Sequence, residues 1–265
     1  MKTVVCLLAL MGLSACATRP PPDAGFLGSY DGLSARTDTL RAAIRERRDD
    51  AALSQVTRVA LAPAVLSPAA RAGWLTPAET TLLLREVDAQ LCFEVSERFE
   101  LAAPDDAVAP RVRAAITDVK PTGRVASAAS AAAGFFIPGP IGLRAPGTLG
   151  GLAAEAELVE PGGRQLAAIV WARQANAVGT DNPSLSRLGD ALQFAEPFAD
   201  AAAAAMTAKG HTARKIERGA DPCAQYGPRF RPEGFVAKMG SGLYVPSLSG
   251  AQKAQDSDEP APKEP

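Results

Sequence analysis

Two long segments rich in apolar residues, Leu152–Glu160 and Gln165–Gln174, stand on either side of Pro161-Gly162-Gly163. Glycine reaches positive φ without steric penalty, so this tripeptide reads as the turn of an antiparallel hairpin. A lone hairpin is marginal in water, and the pattern therefore commits the chain to a larger sheet with a covered face. Arg111–Lys120, "RVRAAITDVK", supplies a third strand: Val112, Ala114 and Ile116 fall on one side, and the run stops at Pro121. Gln55–Val65 reads as a shorter strand ending at Pro63, and Phe99–Ala102 as another.

Helical signals alternate with these strands. Thr76-Pro77-Ala78-Glu79 places an N-cap threonine before a proline at the first helical position, with a glutamate spaced to reach back to the cap amide. Behind it Leu84, Val87, Leu91 and Val95 recur at helical spacing, while Glu86, Glu94 and Glu97 lie elsewhere around the axis, the pattern of a surface helix. A second helix is expected to open at Ser184 or Ser186 and run to about Lys209 with Leu188, Leu192, Phe194, Phe198 and Met206 among alanines. Pro197 should bend or split it. The order predicts an α+β fold: a mainly antiparallel sheet with two principal helices packed on one face. No internal repeat is apparent.

The N-terminus carries an address. Met1–Ala15 has Lys2 at its start and the apolar run Val4–Leu13, too short for a permanent span. Leu13-Ser14-Ala15-Cys16 resembles the bacterial lipobox, which implies cleavage before Cys16 and acylation of its thiol; the alternative is an ordinary signal peptide cut near Ala17. Acyl chains contribute about 0.8 kcal/mol per buried methylene, so such an anchor would tether an otherwise soluble body to a membrane. Ala17 stands where a retention aspartate would hold a lipoprotein at the inner membrane, which favours the outer membrane, periplasmic side. The prolines of Thr18–Asp23 favour an extended spacer. The expected organisation is a leader over 1–15, a lipidated spacer over 16–24, an α+β domain over 25–210, an extension over 211–249 and a disordered tail over 250–265.

Charge argues against a nucleic-acid role. The formal net charge is −1, and loss of Lys2 with the leader makes it one unit more negative. Lys209, Arg214, Lys215 and Arg218 form a local basic run, read as a solvated helix end or as a contact for an anionic surface. With Cys6 removed and Cys16 acylated, Cys92 and Cys223 remain in an oxidising compartment. They either form one bridge, pinning the C-terminal segment onto a helix of the core, or stay as two buried thiols.

Catalytic and cofactor signals are missing. His211 is the single histidine and lies among basic residues, so neither a multi-histidine metal site nor a triad base is available. No GxSxG elbow or phosphate-cradling glycine loop is present, and Gly150-Gly151 and Gly162-Gly163 read as turns. Asp49-Asp50 and Asp105-Asp106 look like solvated loop carboxylates. No cofactor or metal is expected.

Between the strand candidates, residues 126–151 form a long Gly/Pro-rich loop whose one charge is Arg144. Its prolines, Pro138, Pro140 and Pro146, exclude a membrane-spanning helix. Phe135, Phe136 and Ile137 either plug the core or, with Ile141, form an exposed apolar patch for a partner, a sister subunit or the membrane surface.

"GFLGSYDGL", "RVRAAITDV", "EAELVEPGGRQLAA" and "FAEPFADAAAAAM" together resemble the bacterial lipoprotein family known as domain of unknown function 3313, over roughly Gly25 to Met206. Its best single motif is Phe-Leu-x-x-Tyr-x-x-Leu, matched by Phe26, Leu27, Tyr30 and Leu33. The element order is also similar to that of accessory envelope lipoproteins, including activators of peptidoglycan synthases and subunits of curli-type secretion pores, a likeness of fold rather than of activity. The expectation is a non-catalytic outer-membrane lipoprotein that binds or assembles with an envelope component or itself, with Tyr30 and Phe135–Ile141 as contacts. The alternative is a lipid, glycan or small-molecule binder.

Overall fold

The Pro161-Gly162-Gly163 turn closes the expected hairpin: Gly163 sits at φ 84° and its amide donates to the Glu160 carbonyl at 2.9 Å. The computed structural model describes residues 18, 21–123, 142–144, 149–176, 178–179, 181–217 and 219–250. Its strands are β1 (Ser34–Ala35), β2 (Ala42–Arg48), β3 (Arg58–Leu61), β4 (Val65–Leu66), β5 (Glu100–Leu101), β6 (Arg111–Lys120), β7 (Gly142–Leu143), β8 (Gly151–Val159), β9 (Gln165–Gln174) and β10 (Val178–Gly179). Its α-helices are α1 (Asp50–Leu53), α2 (Pro77–Ser96), α3 (Gly189–Ala205), α4 (Pro232–Ser241) and α5 (Pro246–Ser249).

Eight strands form one mixed sheet in the order β1-β2-β9-β8-β6-β3-β5, with β4 also beside β6. The run from β1 to β6 is antiparallel throughout, and β3, β4 and β5 join in parallel. The fold is therefore α+β with a mostly antiparallel sheet. Alternation along β6, β8 and β9 sends Val112, Ile116, Leu158, Ile169 and Trp171 into the main core with residues of α2 and α3. Trp171 meets Phe198 of α3 with ring centroids 5.7 Å apart. Full burial of an aromatic such as Phe194 or Phe198 contributes about 1.5–3 kcal/mol.

Strand β2 is absent from the sequence reading. Its "AAIRERR" buries Ile44 alone, and the remaining residues are partly exposed, so hydrophobic alternation is nearly silent. The strand forms because β9 offers a full ladder, from Ala42 opposite Arg173 to Arg48 opposite Ala167. Its charges are met locally: Arg45 pairs with Asp23, and Arg47 donates to the Gln165 carbonyl and side chain.

The α2 capping box is complete, with Glu79 N donating to Thr76 Oγ1 at 3.2 Å and Thr76 N donating to Glu79 Oε2 at 2.9 Å. The expectation of a polar outer face for this helix is corrected. Glu86 is only 2% exposed, and Ala89, Cys92, Phe93 and Ser96 are buried as well. The cause is the chain beyond residue 211, which folds back over α2. Cys223 bonds to Cys92 with Cα atoms 5.8 Å apart, so the bridge exists and pins that segment to the core.

The α3 expectation changes at two points. The helix begins at Gly189, not at Ser184 or Ser186, because those serines build the preceding turn: Ser184 Oγ accepts from Ser186 N and donates to the Tyr244 carbonyl, and Ser186 Oγ accepts from Leu188 N. Pro197 does not split it. The helix runs on to Ala205, with only the donor to the Gln193 carbonyl lost at the proline.

At the start of α3 lies a buried polar network. Asp190, fully buried, receives both guanidinium nitrogens of Arg144, at 2.5 and 2.9 Å, the Thr122 hydroxyl at 2.9 Å and the Gly150 amide at 2.8 Å. The one charge of the long loop is thus paired and buried against the core. Gly150 is here for close approach rather than for a turn: a Cβ would lie 2.6 Å from Thr122 Oγ1 and 2.8 Å from Asp190 Oδ2.

Candidate functional site

On the face of the sheet away from α2 and α3, the segment from Ala24 to Leu33 lies as a strap. Leu27 packs on Ala168 and Val170, with Phe26, Tyr30 and Leu33 around them. Beneath it two carboxylates on β8, Glu155 and Glu157, are essentially unexposed. Glu155 Oε2 accepts from the Tyr30 hydroxyl at 2.6 Å and Oε1 from Ala24 N at 2.9 Å. Glu157 Oε2 accepts from Gly28 N at 2.8 Å, and Arg113 pairs with Oε1 at 2.7 Å. Burial and the Glu155 carboxylate push the Tyr30 phenol above its ordinary value. The Phe-Leu-x-x-Tyr-x-x-Leu motif is therefore a clamp that holds the start of the domain against the sheet, and the Tyr30 hydroxyl is committed within the chain.

The C-terminal extension supplies a second surface. Arg229 anchors it, donating to Asp221, to the Ser96 hydroxyl and to the Phe93 carbonyl, with its guanidinium 4.8 Å from the centre of the Phe93 ring. Arg214 donates to the Ser96 and Phe99 carbonyls at the end of α2. Arg231, nearly buried, donates to the Ser249 and Tyr226 carbonyls and so ties α4 to its neighbours. Burial and the Glu86 carboxylate drive the Tyr244 phenol far up.

On this anchored base α4 turns its apolar side chains outward: Phe235, Val236 and Met239 are 55%, 67% and 71% exposed, and Phe230, just before the helix, is 69% exposed. Single exposed apolar residues are ordinary, but four exposed within ten positions on and just before one helix are a concentration of the kind found at interaction sites. Sequence reading missed it because "RFRPEGFVAKMGS" is short, and its fixation comes from residues far away in the chain.

Cys16, Phe135, Phe136, Ile137 and Ile141 lie outside the described residues, as does the tail beyond residue 250. Cys92 and Cys223 are brought together, and His211 is exposed. The aspartate pairs serve loops and caps: Asp49 caps α1, Asp50 pairs with Arg48, and Asp106 accepts from Val108 N and Ala109 N and pairs with Arg58. Among the described residues no helix is long and apolar enough to cross a membrane, and no cluster of three or more histidines, cysteines or acidic residues could hold a metal ion.

These features define an α+β protein with a strap across one sheet face and an apolar helix on a disulfide-tethered extension. The chain belongs to the family described as "Protein of unknown function (DUF3313)", whose model matches residues 22–202. The match takes in the strap, the sheet and most of α3; Cys223 and α4 lie beyond it. A search of the curated proteins found no match. Among solved structures, a single-substitution variant of the PelC dodecamer from Paraburkholderia phytofirmans and the PelC dodecamer itself, in different crystal forms, show a remote likeness at TM-score 0.35. Identity is 13% and 12%, over 63% of this chain and 98% or 99% of theirs.

Proposed function

We propose that this protein is an outer-membrane lipoprotein, held on the periplasmic side through acylated Cys16, that acts without catalysis as a binding or assembly partner of another envelope protein. The observation that carries the reading is the outward apolar face of α4, with Phe235, Val236 and Met239 exposed, and Phe230 exposed just before it, on a segment tied down by a disulfide and by Arg229. Apolar surface fixed in place and facing solvent is stabilised when a partner covers it. The Cys16 lipobox and the proline spacer after it support the placement. In this reading α2 and α3 are the principal helices covering one sheet face, and the strap on the other face receives the chain as it arrives from the anchor.

The test is photo-crosslinking in cells from a reactive residue installed at Val236, with Phe136 as a second site and exposed Glu217 as a control. A discrete protein adduct from Val236, absent from Glu217, is the expected result. Adducts of lipid or sugar alone would overturn the reading in favour of a small-ligand binder.

A further inference from the structure

A cleft of about 430 Å3 lies beside the disulfide, between α2, the parallel edge of the sheet and the C-terminal extension. The helix contributes Asp88, Leu91 and Cys92, whose spacing puts them on one face. The sheet contributes Leu61 of β3, Leu101 of β5 and Val112 of β6, with Pro63 and Pro104 in the segments just beyond β3 and β5. The C-terminal extension adds Pro222, Gln225 and Tyr226, and Ala103 lies on the rim after β5. Among the described residues Asp88 is the one carboxylate lining this mostly apolar space, and its Oδ1 accepts from Ala64 N at 2.7 Å.

The wall is held from several directions before any ligand arrives. Cys223 is bonded to Cys92, Arg85 Nη2 donates to the Gln225 carbonyl at 2.8 Å, and Arg231 Nη2 donates to the Tyr226 carbonyl at 3.1 Å. Arg85 also sits 5.3 Å from the centre of the Tyr226 ring. A cleft shaped in advance binds with little ordering cost.

We propose that this cleft binds an apolar small molecule through an amino group, the ammonium donating to Asp88 and the hydrocarbon body lying against Leu61, Leu101 and Val112. Charge complementarity selects this occupant. An anionic ligand would meet the carboxylate, and a plain hydrocarbon would strip water from it without return, whereas an ammonium restores a charge-assisted hydrogen bond. Burial pushes the Asp88 carboxyl above its ordinary value, against the opposing pull of the Ala64 amide and Arg85. This site is separate from the α4 face and stands whether or not that face binds a protein.

The test is a calorimetric and NMR titration of the oxidised protein with phenylbutylamine, phenylbutanol and phenylbutyrate, which share one hydrocarbon body. The amine should bind at least about tenfold more tightly than the alcohol, and the acid should not saturate. Asp88→Asn should bring the amine down to the level of the alcohol. Ala103→Trp, at an exposed position on the cleft, should abolish binding of both while leaving the circular dichroism spectrum unchanged. Equal binding of amine and acid, amine binding that survives Ala103→Trp, or no saturation by any probe at millimolar concentration would each overturn the proposal. The probe series on the unsubstituted chain decides the amine preference without any variant.

Discussion

The Tyr30 hydroxyl donates to Glu155 Oε2 at 2.6 Å while accepting from Gly25 N at 2.7 Å and Phe26 N at 3.0 Å. With Leu27 N also donating at 3.4 Å, one phenol thus joins three backbone amides of the strap to a carboxylate buried in the sheet. A carboxylate on a sheet face is costly unless its oxygens are met, and the strap amides meet them. Strap and sheet face are stable together in a way that neither is alone.

Tyr30→Phe removes that oxygen and leaves Glu155 with only the Ala24 amide from the strap. Leaving buried polar groups unsatisfied costs about 1–3 kcal/mol. Urea unfolding should show a loss of that size. Hydrogen exchange at Gly25–Leu27 should accelerate more than exchange in β8, and equal acceleration in both would dismiss the clamp.

Arg144→Met leaves Asp190 charged and buried, with Thr122 and the Gly150 amide as its remaining donors. Removal of one partner of a buried pair costs about 3–5 kcal/mol, and chemical denaturation should find a loss in that range. A loss below about 1 kcal/mol would mean that water replaces the guanidinium, contrary to the 2% exposure of its side chain.

The Cys92–Cys223 bond closes a loop of sequence separation 131, for which the chain-entropy model sets an upper contribution of about 5 kcal/mol. Denatured, unreduced protein should take up no thiol reagent at these positions. Reduction should lower the urea midpoint and expose the 221–226 segment to protease before the sheet unfolds.

Asp88 provides a pH signature. Its native pKa lies above the unfolded value of about 3.9, chiefly through burial, so the native state takes up the proton first and the stability owed to this group falls as pH rises through that interval. Asp88→Asn carries no charge and should be the more stable form at neutral pH. The gap should close as pH drops below about 3.9. A gap that is constant from acid to neutral pH would contradict the shift.

Cys16→Ser tests the anchor. The substituted chain should leave the membrane fraction and keep its leader unprocessed, and unchanged fractionation and processing would remove the proposed placement.

Much of the central architecture is legible along the chain. β6, β9 and the start of α2 can be read from alternation, from the glycine turn and from the Thr76 capping box, all of which depend on neighbours within a few residues. β2 is illegible because its ladder lies with β9, more than a hundred residues away, and its charged side chains conceal the strand period. The outer face of α2 reads as solvated for a similar reason: Glu86 looks surface-bound until residues beyond 211 cover it. Tyr30 is picked out by its motif, but its role as a clamp depends on Glu155 being directly beneath it.

Sequence by itself determined the hairpin, the cap, the alternation of strands with helices and the pair of cysteines available to bond, because propensity, turn chemistry and composition act over short distances. The tertiary structure alone decided which charges are buried together, where the strap lies, how the cleft beside Asp88 is enclosed and which way α4 faces. Those outcomes depend on desolvation and packing between segments that meet only once the sheet has formed.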